Sequence, residues 1–195
     1  MAKSRRVLSP RIVLDPGHGG RDPGAVFDGN REKYIASIIT RKIQFALEDH
    51  SAAIITRSTD KYITLQHRCR MANNYHGDVF LSVHLNAVPL VSRNKGHEAV
   101  GMEAWIYEGS DNSRTVAQEI LESVRSGFKG YGMRGIRETK KLYVLKHTKM
   151  PAILLEVGFI DGLHDRILLT CPEVQDRLAQ LVADGLLHGL TLLDT

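Results

Sequence analysis

The chain has 195 residues, 43% hydrophobic and 25% charged, with a formal net charge of +4; these values suit one soluble domain with a sizeable core and exclude a disordered or membrane-inserted chain. The basic excess is too small to argue for nucleic-acid binding, and it fits contact with an anionic polymer as well as a plain solvated surface. Two cysteines, Cys69 and Cys171, belong to no CxxC or Cys/His cluster, so no disulfide framework is expected.

Met1 to Arg6 is basic with no apolar run behind it, so neither a signal peptide nor a transmembrane segment is expected. Residues 1–10 read as a tail, and residues 11–195 as one domain. Arg11 to Asp15 reads as the first strand, ended by Pro16, which cannot donate to a ladder. Gly17 to Asn30 is a Gly/Asp/Pro loop without periodicity. Glu32 to Glu48 has helical spacing, Ala52 to Thr56 is a β-branched run, and Leu65 to Tyr75 reads as a helix. Val79 to His84 is a strong strand, broken between Asn86 and Pro89. Val88 to Met102 is long and irregular, as functional loops tend to be. Glu103 to Tyr107 reads as a strand and Ser113 to Gly127 as a helix. Gly130 to Lys141 looks like an exposed loop. Leu142 to Leu145 and Ala152 to Val157 read as strands, Asp161 to Leu169 as a short helix, and Glu173 to Leu190 as a long one. Strands alternating with helices predict an α/β fold, with a central, mostly parallel twisted sheet flanked by helices. Sites in such sheets form beyond the carboxyl ends of the strands.

Two histidines stand at such ends. His18 lies among Gly17, Gly19 and Gly20, directly after the first strand. Along Val79 to Asn86, Leu81, Val83 and Leu85 face one way, and Ser82, His84 and Asn86 the other. A lone histidine in that position is more often a hydrogen-bonded core imidazole than a ligand. Glu156 is the sharper anomaly, one carboxylate among eight apolar or glycine residues from Ala152 to Ile160. Burial obliges it to be paired, protonated or close to a cation; Arg57 is one candidate partner, a metal site the other. Glu32 by itself is an ordinary helix-start carboxylate, but the glycine-rich loop after His18 leads straight to it. Together His18, Glu32 and His84 make a His₂-carboxylate set, a known catalytic zinc arrangement with a position left for water. Glu156 would then serve as base. His97-Glu98 lacks the second histidine of HExxH, and there is no GxSxG and no P-loop.

These residues sit in an ordered series: Leu14-Asp-Pro-Gly-His-Gly-Gly20, Asp22-Pro-Gly-Ala25, Glu32-Lys33, Thr56-Arg57 with Asp60, Leu65 with Arg68, Ala72-Asn73, Phe80-Leu-Ser-Val-His-Leu-Asn-Ala87 and Leu155-Glu-Val-Gly-Phe-Ile160. The series resembles the zinc-dependent N-acetylmuramoyl-L-alanine amidases of the amidase-3 type, found in bacterial autolysins and phage endolysins, from about Arg11 to Leu190. The resemblance implies one zinc ion held by His18, Glu32 and His84, with Glu156 as the catalytic glutamate. The implied substrate is peptidoglycan, cut at the amide between N-acetylmuramic acid and L-alanine. Asn86 would support the site or touch substrate, and Arg57 and Arg68 would be structural ion-pair residues.

Where relatives have Ser-Asn after Gly-Phe-Ile, this chain has Asp161-Gly162, which should alter only the following helix cap. The segment between Gly127 and Leu142 is too short for the autoinhibitory helix of some relatives, so an open site is expected. The chain is expected to be a monomer that binds no nucleic acid and inserts in no membrane. It is expected to be made in a host cytoplasm and to reach the wall on phage-mediated lysis. The alternatives are a bacterial autolysin, a zinc peptidase or deacylase acting on another amide, and a wall-binding module without turnover.

Overall fold

Strand alternation divides the apolar side chains between two faces of one sheet, and that division places the polar ones. The computed structural model describes residues 9–93 and 99–193. The readings on Met1 to Arg6 and on His97-Glu98 lie outside the described residues, as does the centre of the 88–102 stretch. In chain order the elements are β1 (Arg11–Pro16), β2 (Val26–Phe27), β3 (Asn30–Arg31), α1 (Glu32–Ala46), β4 (Ala52–Ile55), α2 (Leu65–Tyr75), β5 (Val79–Asn86), α3 (Leu90–Arg93), β6 (Met102–Tyr107), α4 (Asp111–Gly127), β7 (Met133–Thr139), α5 (Tyr143–His147), β8 (Ala152–Phe159), α6 (Leu163–Thr170) and α7 (Pro172–Thr191). Six strands form one sheet in the order β4-β1-β5-β8-β6-β7. β4, β1, β5 and β8 run parallel; β6 joins β8 antiparallel and carries β7 parallel to itself. The expected α/β architecture with a mostly parallel sheet is the one observed. Among the described residues no helix is long and apolar enough to cross a membrane.

Ile12, Leu14, Leu81, Val83, Ile153 and Leu155 belong to the larger core, built with α1, α4 and α7. Val13, Phe80, Ala152 and Leu154 belong to a smaller core with residues of α2 and α5. Asp15, Ser82, His84 and Glu156 share the phase of this second set. The chemistry-bearing side chains therefore lie on the face covered by α2 and α5, at the carboxyl ends of β1, β5 and β8.

Three expectations need correction. Gly130 to Lys141 is not a loop: it contains β7, an edge strand registered on β6 from Met102/Met133 to Tyr107/Thr139. Its Arg, Glu and Gly residues hide it, because an edge strand paired on one side needs little apolar surface. Leu142 to Leu145 is not a strand but leads into α5, where Val144 and Leu145 pack in the smaller core beside Cys69 and Ala72 of α2; four apolar residues cannot distinguish the two forms. The loop after His18 holds the β2–β3 hairpin, turned by Asp28 (φ 49°) and Gly29 (φ 75°). Both central residues are left-handed, as a two-residue hairpin turn requires, and Asp-Gly was its signal.

Gly185 lets α7 meet α4 at backbone distance. A Cβ there would lie 2.5 Å from the Glu119 carbonyl oxygen and 2.6 Å from Ile120 Cα. Gly185→Val should therefore push the helices apart and cost about 2 kcal/mol. Thermal denaturation checks this: the melting temperature should fall by several degrees, and an unchanged one would contradict the close packing.

Candidate metal centre

The turn after β1 is held through its carbonyls. Asp15, fully buried, accepts from Arg68 Nη1 at 2.7 Å, Thr56 Oγ1 at 2.5 Å and Ser82 Oγ at 2.8 Å. Arg57 Nε and Arg68 Nη1 both donate to the Pro16 carbonyl, Arg57 Nη2 to that of Gly17 at 2.7 Å, and Arg68 Nη2 to that of His18 at 2.6 Å. The carbonyls of Pro16, Gly17 and His18 thus each have a guanidinium donor, as buried backbone requires. His18 itself is left-handed, at φ 59°, a strained state for a residue with a Cβ that surrounding bonds must impose. Arg68 forms the expected ion pair, with Asp15. Arg57 does not: its donors go to the carbonyls of Pro16, Gly17, Thr59 and Lys33. It is therefore not the partner of Glu156.

The hairpin brings α1 back so that Glu32, its first residue, reaches His18. Glu32 Oε1 lies 3.1 Å from His18 Nε2 and 2.9 Å from His84 Nδ1, and the Leu85 N–H donates to it at 3.0 Å. Oε2 accepts from the Ala25 N–H at 2.8 Å. His18, Glu32 and His84 each offer a ligand atom, all within 4.8 Å of one another. Two glycines make this crowding feasible. A Cβ on Gly17 would meet the His84 ring at 2.4 Å, and one on Gly24 would meet Glu32 Oε2 at 2.5 Å and His18 Cδ2 at 2.6 Å. Two imidazole nitrogens and one carboxylate oxygen suit a divalent transition metal. His50, His67, His76, His147, His164 and His188 are all exposed and stand outside this set.

Glu156 sits beside His84 in the β5–β8 register. Its Oε2 is buried and has no hydrogen-bond partner among the described residues. Asn86 lies at the end of β5; its Nδ2 donates to Glu103 Oε1 at 2.9 Å, and its Oδ1 accepts from the Ala87 N–H. The next helix has Gly162 at its N-cap and no side-chain cap bond, while Asp161 accepts from the Val88 N–H at 2.9 Å and fastens the start of the 88–102 stretch. Two residues of this neighbourhood escaped sequence reasoning. Asp22 bonds His18 Nδ1 at 2.9 Å and so leaves Nε2 to face Glu32; its signal was the spacing of four from a candidate ligand. Glu103, buried and opposite Glu156 across β6–β8, accepts from Asn86, Trp105 and Arg134. A lone carboxylate in the apolar run of β6 was the same anomaly that marked Glu156.

The electrostatics favour a cation among the ligands. Burial opposes a proton on His18, but the bond and charge of Glu32, with those of Asp22, prevail and raise its pKa to about 9. Burial also opposes charge on Glu32, yet the two imidazoles hold its carboxyl well below the usual carboxylate range. Glu156 moves the other way: burial, aided by the charges of Glu32 and Glu103, outweighs the histidines and pushes it up to about 7.

A family model described as N-acetylmuramoyl-L-alanine amidase matches residues 12–188. The sporulation-specific N-acetylmuramoyl-L-alanine amidase of Bacillus subtilis (strain 168) is 32% identical over 188 residues, 95% of this chain and 70% of that protein. The endolysin of Bacillus phage SPP1 is 33% identical over 189 residues, 95% of this chain and 68% of its own length. In structure, an N-acetylmuramoyl-L-alanine amidase from Clostridium difficile 630 superposes with a TM-score of 0.85 at 32% identity, covering 96% of this chain and 98% of that one.

His18 binds its proton more tightly when folded than at its ordinary value of 6.5. Protein stripped of metal should therefore keep the full stabilisation below pH 6.5 and lose it as pH rises through about 9. Melting temperatures of chelator-treated protein should decline across that window, and His18→Ala should flatten the decline. A divalent ion that replaces the proton should also flatten it. A level profile in the stripped parent protein would contradict the His18–Glu32 coupling.

Proposed function

We propose, from the premise that the chain belongs to the N-acetylmuramoyl-L-alanine amidase family, that it is a zinc hydrolase cutting the amide between N-acetylmuramic acid and L-alanine in peptidoglycan. The convergence of His18, Glu32 and His84 within 4.8 Å, beside the unpartnered Oε2 of Glu156, carries this reading. His18 Nε2, His84 Nδ1 and one Glu32 oxygen would hold the ion. Zinc in a three-ligand protein site supplies a water that ionises near neutral pH and a Lewis acid for a carbonyl.

The protein's own groups supply the rest. Asp22 holds the His18 ring in one orientation through Nδ1, as residues behind a ligating histidine commonly do. The Ala25 and Leu85 N–H groups keep the Glu32 carboxylate from swinging. Glu156 takes the proton of the attacking water on Oε2 and returns it to the nitrogen of the departing L-alanine. A carboxyl whose proton affinity is lifted toward neutrality serves both steps, because it is ionised enough to accept and acidic enough to give back. Asn86, tied to Glu103, stands next to this pair as a positioning or substrate-contact residue.

The three ligands and Glu156 all come from one chain, which supports action as a monomer. A phage endolysin matching 95% of the chain supports a role in host lysis, with release to the wall through a permeabilised membrane. A bacterial sporulation amidase of nearly equal identity is the observation behind the second setting, wall remodelling.

Digestion of purified peptidoglycan should create new L-alanine N-termini; cleavage elsewhere in the peptide would overturn the amidase reading. Glu156→Gln should keep fold and zinc content and lose activity by about a thousandfold. Activity within a few-fold of the parent would refute its role in proton transfer. His84→Ala should lose the metal as well, as measured by elemental analysis; retention of stoichiometric zinc would contradict its assignment as a ligand.

A further inference from the structure

Beyond Thr56 and Arg57, which hold the turn after β1, the chemistry above uses nothing on the segment between β4 and α2, yet that segment and the first turns of α2 line an open pocket of about 540 Å³. Arg57, Lys61, His67 and Arg70 line it, and no Asp or Glu does. Asp60, the nearest acid in sequence, is engaged elsewhere: it accepts from Lys33 Nζ at 2.6 Å and from the Gly20 N–H at 2.7 Å. Arg70 Nη2 bonds His67 Nδ1 at 2.7 Å, and among the described residues neither Arg70 nor Lys61 forms an ion pair with a carboxylate.

The pocket shares two wall residues with a recess at the metal centre. Tyr62 and Ile63 line it and also line a second recess, of about 310 Å³, which reaches His18 and His84 and is walled by Leu142 and Tyr143. The Arg21 guanidinium lies 4.3 Å from the Tyr62 ring centroid and adds a further cation at this junction. Beside the His18–Glu32–His84 cluster thus lies an apolar, aromatic recess, and on the other side of Tyr62 and Ile63 a cationic pocket.

A concave site lined by the exposed ammonium of Lys61 and guanidinium of Arg70, with no acid among its lining residues, selects an oxyanion. In the amidase substrate the acyl side of the scissile bond is a neutral amidated sugar acid, whereas the peptide beyond L-alanine carries free carboxylates. We propose that the pocket of Lys61 and Arg70 is a subsite for a free carboxylate of the stem peptide, with the recess at Tyr62 and Tyr143 taking the small first residue. This assignment rests on the amidase reading and gives the substrate a direction, with its peptide running from the metal toward α2. A phosphate of an anionic wall polymer offers the same chemistry, and the test separates the two.

Two soluble muramoyl peptides that differ only in the second residue, one with its α-carboxylate free and one with a carboxamide, would be assayed with the zinc-loaded protein. The parent should prefer the carboxylate by about tenfold in kcat/KM, chiefly through KM, as expected for a charge-assisted contact. The exposed pair K61A/R70A should bring that ratio close to one, and K61R/R70K should restore most of it. Melting curves of both variants check that the fold is kept. Equal kcat/KM for the two peptides in the parent, or a ratio that K61A/R70A leaves unchanged, overturns the carboxylate subsite. Failure to release an L-alanine N-terminus from either peptide overturns the amidase reading instead. In a parallel arm, sedimentation with walls bearing or stripped of phosphate polymer is competed with inorganic phosphate. Loss of phosphate-dependent binding in K61A/R70A, alongside equal turnover of both peptides by the parent, assigns the pocket to phosphate and overturns the proposal.

Discussion

Two buried guanidiniums hold the backbone on which the site depends. Arg57 and Arg68 between them occupy the carbonyls of Pro16, Gly17 and His18. A turn at the end of a central strand would otherwise bury these acceptors without partners, at a cost of about 1–3 kcal/mol each. The planar fork of arginine suits the task, since one side chain can meet carbonyls in several directions. Asp15 neutralises Arg68 and is itself held by Thr56 and Ser82 from the strands on either side. The left-handed His18 is the product of this frame. Lys33 extends the frame by joining the Gly20 carbonyl to Asp60.

Around that turn, charge is arranged in two opposed groups. His18 and Glu32 stabilise each other's charged forms, and His84 adds to that of Glu32, which is the electrostatic signature of a place suited to a cation. Glu156 is on the same face but is left with an unpartnered oxygen and a raised proton affinity. Glu103 contributes to that rise from the opposing strand, while its own charge is met by Arg134. The antiparallel join of β6 to β8 matters here because it sets Glu103 opposite Glu156. The His18–Glu32–His84 cluster and Glu156 are thereby kept as separate groups within one small site.

Much of the site was legible before any coordinates. Glu156 is visible because a carboxylate in an apolar strand violates the cost of burying charge; Glu103 carries the same signal in β6 and went unread. His84 is visible because the period of two in β5 puts it on the polar side of an otherwise apolar strand. Glu32 is legible only as the helix start to which a glycine-rich loop leads, since nothing local distinguishes it from an ordinary first-turn acid. The roles of Arg57 and Asp22 were not legible. One answers a backbone demand forty residues away, and the other acts through the ring of a neighbour, for which a spacing of four is only a faint signal. β7 and α5 were misread for a related reason: an edge strand and a five-residue helix owe their form to the elements they pack against rather than to their own pattern.

The sequence by itself determined the α/β alternation and the phase of the central strands, and it nominated the candidate groups for binding a metal or carrying a proton. Those follow from local periodicity and from the free energy of burying charge, both written into consecutive residues. The tertiary structure alone decided that His18, Glu32 and His84 meet at one point, that Arg57 serves carbonyls rather than Glu156, and that Lys61 and Arg70 face a common pocket beside the site. Each of these depends on the register of strands and the return of a loop, which bring together residues many positions apart through contacts no local rule encodes.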